Sequence, residues 1–427
     1  MNATRGFTLF QLAMVVLVAL SGRAFSSTIG VGSCASGIVA PTIQQAVNAS
    51  SAGDTVTVCP GTYREQVLIN KSITLVGVTS ATQDAAIIAP PTTGMVANTS
   101  SVDTGNPIAA QILVQGTAGP VLISNLTVDG AGNGITSCDP NLQGILFQNA
   151  SGTVNRVAVR NQTLGSGLGG CQSGESIFVQ TAAGFTSTVI VQNSSVHNYN
   201  KNGITGNDTG TTLTVTGSYV QGSGVVPYPG AAQNGIQLGF GAAGKISNNT
   251  VVDNIYGDPT VAASADILLY DTAENGGITV SSNVLGNSQL PIVLYTDLAG
   301  GVASGDGVSV TGNKIFGTKT YDAIDLCTNG NTVTSNTIFN SAESAVHLDA
   351  SCGSGGLTTG DNNKVTTNTV VESSCAGILI DGGTTGETTT PNTYYTVPFK
   401  FTSSTAKCTI PARPVRGTGA RPFSPAK

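Results

Sequence analysis

The chain of 427 residues contains no tryptophan, and only 9% of its residues are charged, whereas a soluble domain carries about 25%. Long surface helices normally carry many Glu and Lys residues, so this composition favours sheets with polar outer faces. Hydrophobic residues make up 40% of the chain, which argues against disorder. The formal charge of −6 argues against nucleic acid, so we expect no nucleic-acid partner.

Histidine is also scarce, with two residues, and no Cys-x-x-Cys motif occurs. A zinc or iron–sulfur site is therefore not expected. The eight cysteines indicate an oxidising compartment. If cysteines that are consecutive along the chain pair with each other, the disulfides are Cys34–Cys59, Cys138–Cys171, Cys327–Cys352 and Cys375–Cys408. Other pairings remain open.

One long hydrophobic run is present, from Phe7 to Leu20. Arg5 precedes it and the small residues Ala24 and Ser26 follow, as in a secretory signal. The run is shorter than the about 20 residues of a membrane span. We expect residues 1–26 to be a signal peptide, the location to be secreted or periplasmic, and no membrane span to remain after signal removal.

The same N-terminus allows another interpretation. Residues 5–12, RGFTLFQL, resemble a prepilin signal, in which cleavage follows the glycine and the hydrophobic helix stays on the mature protein. That family carries Glu where Gln11 stands here. A pilin-like or adhesin surface protein is therefore an alternative hypothesis.

Glycine, with 55 residues, serine, threonine and asparagine are abundant, and two short phrases alternate along the chain. The first is a strand of the form small-Ile-x-Leu, with clear copies at Gly144, Gly235, Ala323, Ala345 and Gly377 and weaker copies at Ser176, Gly203, Asp266 and Pro291. The second begins with an apolar residue at Ile123, Val154, Val191, Val215, Ile246, Val280, Val310, Val333 and Val365. Its fourth position is Asn in the last five copies: Asn249, Asn283, Asn313, Asn336 and Asn368.

This repetition predicts an all-β fold, a single-stranded parallel β-helix, in which each repeat forms one turn stacked at about 4.8 Å on the next. Ile324 would lie over Val346 inside the coil. Asn suits the corners because it tolerates the left-handed conformation and its amide can bond the Asn one turn away. The insertions Gly165–Ser176 and Gly222–Gln233 would lie on one rim. A β-sandwich with coincidentally similar strands is the alternative.

The first turn carries a family resemblance. Thr42, with Gln45 three residues later, predicts a capped short helix that closes the end of the coil. The segment Thr42–Gly77, TIQQAVNASSAGDTVTVCPGTYREQVLINKSITLVG, is similar to the N-terminal turn of pectin methylesterases and of the pectate-lyase-like superfamily. Later repeats resemble carbohydrate-binding and sugar-hydrolase β-helix modules. The resemblance implies a right-handed β-helix, export and a polysaccharide-related role.

The domain boundaries follow from these segments. We expect a cap and first turn at residues 27–80, β-helix repeats at residues 81–381, and a basic, proline-containing tail at residues 382–427. The catalytic motifs of the related enzymes are absent: there is no Trp for a Gly-Arg-Pro-Trp stretch and no Gly-His-Gly. Pro411–Arg416 resembles a lyase arginine phrase only loosely and lies in the tail.

Some outward positions of the repeat could carry chemistry. Asp325, His347 and Asp349 would lie together, and a histidine between carboxylates can act as a general acid or base. Tyr270, Asp271, Tyr295, Asp297 and Asp381 would form a ligand-binding surface, because tyrosine beside carboxylates suits sugars. The third interpretation is a solvated surface whose ion pairs contribute under about 1 kcal/mol.

Three further polar features have simpler interpretations. Glu65 is predicted to contact the N-terminal cap, and His197 to be a corner or rim residue. The run from Asp361 to Asn363 offers oxygen ligands for Ca²⁺ but is more typical of a polar turn. We therefore expect no cofactor, with Ca²⁺ as the alternative.

The sequence thus leads to three functional hypotheses. The first is a secreted, monomeric β-helix that binds or scaffolds extracellular or cell-wall polysaccharide without a recognisable catalytic set. The second is a lyase, hydrolase or esterase that acts on polysaccharide at Asp325, His347 and Asp349. The third is the pilin-like or adhesin surface protein.

Overall fold

The computed structural model describes residues 26–79, 85–296, 305–350 and 359–402. The predicted signal peptide up to residue 25, Asp297, Cys352, Cys408 and the tail from residue 403 lie outside the described residues. In those ranges, one α-helix, Ile43–Ala49, follows the first two strands and is followed by a long series of further strands. None of the helical structure described reaches the length and hydrophobicity of a membrane-crossing helix.

Three long sheets contain the described strands. The first sheet consists of Thr28–Val31, Ile38–Ala40, Thr55–Val58, Thr74–Gly77, Val121–Ser124, Gly152–Asn155, Ser187–Gln192, Thr211–Thr216, Ala243–Ser247, Thr279–Ser281, Ser309–Thr311, Thr332–Thr334 and Lys364–Thr366. The second consists of Gly61–Arg64, Ala86–Ala89, Thr127–Asp129, Ala158–Gln162, Ser195–Tyr199, Tyr219–Val226, Thr250–Tyr256, Val284–Gly286, Lys314–Phe316, Thr337–Ser341, Thr369–Ser373 and Thr393–Tyr395. The third consists of Val67–Ile69, Thr99–Ser100, Pro107–Gln115, Asn141–Gln148, Glu175–Gln180, Asn202–Asn207, Asn234–Gly239, Ala265–Tyr270, Leu290–Tyr295, Ile324–Leu326, Val346–Leu348, Ala376–Ile380 and Phe399–Thr402.

The chain visits the first, second and third sheet in turn, and each strand pairs in parallel with the strand one turn away, except Thr99–Ser100, which pairs antiparallel. Ile324 lies opposite Val346 and Leu326 opposite Leu348, which confirms the predicted stacking. Pairing continues past residue 381, because Thr393–Tyr395 and Phe399–Thr402 extend the second and third sheets.

Columns of aliphatic residues fill the interior of the coil. In the first sheet Val280, Val310 and Val333 lie in register and are fully buried. Full burial of such a side chain contributes about 1.5–3 kcal/mol. Repetition of this contribution in every turn lets a chain with few charges form a stable solenoid.

A ladder of asparagines lines the corner between the first and second sheets. The Nδ2 group of Asn283 donates to Oδ1 of Asn313 at 2.9 Å, and Asn313 donates to Asn336 at 2.9 Å. The same bond links Asn249 to Asn283, Asn336 to Asn368 and Asn368 to Asn392, which confirms the predicted ladder. The predicted left-handed conformation is wrong, because the residue before each of the five predicted asparagines has the positive φ instead, as in Ser282 and Ser335.

The N-terminal helix closes the first turn. Thr42 caps it by accepting a hydrogen bond from the Gln45 amide at 3.1 Å. Glu65 accepts from the amides of Ile43 and Gln44 at 2.9 and 2.8 Å, as a carboxylate at a helix N-terminus should. The predicted cap and the cap contact of Glu65 are therefore confirmed.

Disulfides Cys34–Cys59 and Cys138–Cys171 are present as predicted. Cys327 and Cys375 are also disulfide-bonded, and their partners lie outside the described residues. The second disulfide joins two of the segments that connect the second sheet to the third.

Candidate functional site

The outer face of the third sheet carries the predicted catalytic residues. Register places Leu268, Val293, Asp325, His347 and Leu379 in one column pointing away from the coil interior. Two successive residues, Ala323 and Ile324, belong to the interior core. This break in the alternation turns Asp322 to the outer face as well.

His347 is bound between two carboxylates. Its Nδ1 atom lies 3.1 Å from Oδ2 of Asp322, and its Nε2 atom lies 3.2 Å from Oδ1 of Asp381. Asp322 also accepts a hydrogen bond from the Ser344 amide at 2.9 Å. The imidazole is therefore held at both nitrogens, by one residue that the sequence prediction missed and one that it assigned to ligand binding.

The environment of His347 favours its charged form. Burial by itself lowers the pKa of His347, but the charge of Asp322, hydrogen bonds to Asp322 and Asp381 and the charge of Asp349 together raise its pKa well above 6.5. An imidazolium is stable in such a site because opposite charges within a few ångströms favour the charged form.

Asp325 and Asp349 complete the cluster. Asp325 lies opposite His347 in the register, and one ligand atom from each of His347, Asp349 and Asp381 falls within 4.8 Å of the others. The carboxylate oxygens of Asp349 and Asp381 are of the kind that binds a hard cation. However, His347 is held in its positive form and Cys327 is disulfide-bonded, so neither is suited to ligate one.

The cluster is not a solvated surface. Asp325, His347 and Asp349 are at most 3% exposed, and the Asp381 side chain is 13% exposed. The expectation that these outward residues are wet is wrong, because connections from the second sheet cover much of this face. Tyr321, from such a connection, packs with Tyr295 and Cys327, and its hydroxyl donates to the Pro259 carbonyl at 2.7 Å.

The predicted ligand-binding tyrosines are also covered. Tyr270 and Tyr295 stack on each other with ring centroids 5.5 Å apart, and Phe240 contacts Tyr270 at 5.4 Å. Both tyrosines are buried, as is Asp271. Asp381 instead contacts His347, and Asp297 lies outside the described residues.

Two other predicted features have structural partners. Oδ1 of Asp361 accepts from the Thr385 amide, and Oδ1 of Asn363 accepts from both the amide and the side chain of Asn331, so these oxygens already have protein donors. His197 lies half-buried on the outer face of the second sheet, opposite Arg160 and Gln221.

An open site that the sequence prediction missed lies on the second sheet. Phe316, Phe339, Val371 and Tyr395 lie in register on four successive turns, and we call them the aromatic stripe. The two phenylalanines are 40% exposed and Tyr395 is 55% exposed. A parallel column of Lys314, Thr337, Thr369 and Thr393 lies two residues away on the same face.

A cleft borders the stripe at the corner towards the third sheet. Its volume is about 480 Å³, and its lining consists of Thr318, Asn340, Ser341, Ala342, Glu372, Ser373, Ser374, Thr396 and Pro398. Asn340, Glu372 and Thr396 directly follow stripe residues and have positive φ, which turns the chain sharply there. Apolar rings and a polar cleft thus adjoin along the last turns.

A sequence signal for the stripe exists. Each stripe residue stands three positions after an asparagine of the ladder, as Phe339 does after Asn336 and Tyr395 after Asn392. The ionisable residues predicted as a site lie in the third-sheet phrase, whereas the rings of the stripe follow the ladder asparagines.

Comparison with known proteins identifies the fold of this chain. No family model matches the sequence, and no curated protein matches it. Among solved structures, the catalytic domain of a GH87 alpha-1,3-glucanase in complex with tetrasaccharides has a TM-score of 0.57 at 12% identity, covering 86% of this chain and 67% of that one. The GH136 lacto-N-biosidase from Eubacterium ramulus has a TM-score of 0.55 at 11% identity, covering 87% and 68%.

The mannuronan C-5 epimerase A-module from Azotobacter vinelandii has a TM-score of 0.51 at 14% identity, covering 86% of this chain and 94% of that one. Connections between parallel strands of one sheet are almost always right-handed. The chain is a right-handed parallel β-helix. At these identities the likeness concerns the fold of this β-helix, and its function must be argued from its own residues.

Proposed function

We propose that this β-helix is an exported protein that binds polysaccharide through the aromatic stripe and the adjoining cleft. The observation that carries the proposal is the exposure of Phe316, Phe339 and Tyr395 in register on the last turns. Folded proteins seldom leave aligned large apolar side chains in water unless they meet a partner.

The chemistry of the surface suits a sugar. The faces of a pyranose ring carry C–H groups that pack on aromatic rings, while its rim of hydroxyl groups needs polar partners. Thr337, Thr369 and Thr393 provide hydroxyls on one side of the stripe. Asn340, Glu372 and Ser374 provide polar groups in the cleft on the other side.

Two further observations support the proposal. The disulfides are typical of exported proteins. Structures with this fold include a glucanase in complex with tetrasaccharides, a lacto-N-biosidase and an epimerase of mannuronan. Each of those proteins acts on a glycan, and we extend that class of ligand to this chain.

The absence of tryptophan allows a direct test. Phe339→Trp places a single indole in the stripe, and Tyr219→Trp places one on the same sheet at a position of similar exposure, 41%. We expect a panel of α-1,3-, β-1,3- and β-1,4-linked gluco-oligosaccharides, mannuronate and galacturonate oligomers to contain a ligand that shifts the emission of the first variant only. Equal responses of both variants, or none with any glycan, would contradict the proposal.

A second candidate function is acid–base catalysis on polysaccharide at Asp325, His347 and Asp349. The arrangement that favours it is the imidazole held between Asp322 and Asp381, because a positioned histidine can transfer protons. The burial of His347 weighs against it, since the ring has no open approach. Activity on pectins and uronates, followed by absorbance of unsaturated product and by methanol release, must disappear in His347→Gln if this second function exists.

A further inference from the structure

We infer that the ligand is a neutral glycan that lies parallel to the coil axis, with one sugar ring over each of the last turns. This inference rests on the proposed function and adds the orientation and charge class of the ligand to it. It follows from three features of the site: the direction of the stripe, the gap at Val371 and the charge of the cleft.

The stripe runs along the coil axis. Phe316 pairs with Phe339, Phe339 with Val371, and Val371 with Tyr395, so adjacent members are separated by one turn, about 4.8 Å. One sugar unit in an extended glycan has nearly this length. A glycan along the stripe would therefore meet each ring in succession, whereas a glycan crossing it would meet one ring.

The third position of the stripe breaks the pattern. Val371 is half-buried and carries no ring, while its neighbours Phe339 and Tyr395 expose theirs. A glycan parallel to the axis would leave its sugar at this turn without a stacking partner. Adding a ring there should therefore strengthen binding, which is an effect that loss of folding cannot imitate.

The charge of the cleft favours a neutral glycan. Glu372 is exposed and is the sole charged side chain among the described residues that line the cleft. Lys314 is the first residue of the column on the opposite side of the stripe, and Lys319 is exposed beyond Thr318, but neither lines the cleft. A uronate carboxylate beside Glu372 would meet like charge.

The first experiment is Val371→Tyr in the full chain, with Val225→Tyr as the control at an exposed position of the second sheet, three strands before the stripe. Calorimetric titration uses the neutral oligosaccharide that responds in the tryptophan assay. We expect Val371→Tyr to tighten binding about three- to ten-fold, as one aromatic contact should, and the control to leave affinity unchanged. Unchanged or weakened binding in Val371→Tyr contradicts the axial orientation.

Oligosaccharide length gives a second measurement. We expect affinity to rise with each sugar until the chain spans the turns of the stripe and then to level off. An affinity that is already maximal for a disaccharide means that the glycan crosses the stripe, and it overturns the orientation while leaving polysaccharide binding intact.

The charge class is tested with Glu372→Gln. Binding of galacturonate oligomers should increase in this variant, whereas binding of neutral oligomers of the same length should not. If the wild-type protein prefers uronates, the ligand is not a neutral glycan, although the binding site is still correct.

The exposure of the stripe is tested with a soluble quencher of tryptophan fluorescence. If the indole of Phe339→Trp is shielded from the quencher before any glycan is added, and no glycan changes this, the stripe is covered by the chain itself or by a second copy. In that case both the site and this inference are wrong.

Discussion

The outer faces of the second and third sheets are built from the same repeat, yet one is open and the other is covered. On the last turns of the second sheet the rings of Phe316, Phe339 and Tyr395 are exposed. On the third sheet Tyr295 and His347 also point away from the interior but are at most 3% exposed. Outward direction in a β-helix therefore does not imply contact with solvent.

The difference comes from the connections. The corner from the first sheet to the second is short, with Ser282 and Asn283 between the strands that end at Ser281 and begin at Val284. Connections from the second sheet to the third vary from two residues, as between Tyr199 and Asn202, to twelve, as between Gln162 and Glu175. The longer ones pack over the third sheet, as Ile135 does with Leu142. Lys201, for example, is fully buried and donates to the Ala232 carbonyl in one of them at 2.7 Å.

Burial also changes the ionisable groups of the covered face. Loss of hydration raises the pKa of Glu175 to about 7 and lowers the pKa of Lys201 to about 7. The covered face thus depends on internal partners for its polar groups, while the open face depends on water or a ligand. We expect substitutions on the covered face to affect mainly stability and substitutions on the open face to affect mainly binding.

The largest effect should come from His347→Ala. The substitution leaves Asp322 and Asp381 without the imidazolium that joins them, and breaking a buried ion pair costs about 3–5 kcal/mol. The free energy of unfolding, measured by urea denaturation, should fall by this amount. His197→Ala, the other histidine of the chain, is the control and should change stability by less than about 0.5 kcal/mol.

A smaller loss should follow removal of an aromatic ring from each face. Tyr295→Ala deletes a buried ring that stacks on Tyr270 and should destabilise by about 3 kcal/mol. Phe339→Ala deletes an exposed ring and should destabilise by less than about 1 kcal/mol, while it weakens glycan binding. Equal losses of stability in urea denaturation would remove the distinction between the two faces.

The smallest effect is a pH dependence confined to the covered face. Because the folded-state pKa of His347 is raised above 6.5, its contribution to stability is complete below the unfolded pKa and is lost as pH rises through the folded value. The difference in stability between wild type and His347→Gln should therefore be largest below the unfolded pKa of histidine and shrink as the pH rises through the raised folded value. A difference that grows with pH in urea denaturation would mean that the histidine is neutral in the folded protein.

Much of the fold could be predicted from the sequence because the signals are local and repeated. The period of the small-Ile-x-Leu phrase fixed the register of Ile324 on Val346, and the recurring asparagine identified the ladder. The candidate site was harder to predict from the sequence than the fold. Asp322 was missed because two successive interior residues, Ala323 and Ile324, interrupt simple alternation.

The covering of the third sheet could not be predicted for a different reason. Whether Tyr270, Tyr295 and His347 contact water depends on connections from other turns, such as the one that carries Tyr321. The sequence shows that such insertions exist but not over which face they fold. The aromatic stripe has a signal of its own, because its residues recur three positions after the ladder asparagines.

By itself, the amino-acid sequence determined the coil, its register, its cap and which side chains of the repeated strands face outward, since these follow from hydrogen bonding and burial repeated at every turn. Only the tertiary structure decided which outward face is open, because packing of distant connections removes water from one sheet and leaves it on another. Loss of water converts a row of polar residues into a stabilising cluster, and retention of water leaves a row of rings able to bind.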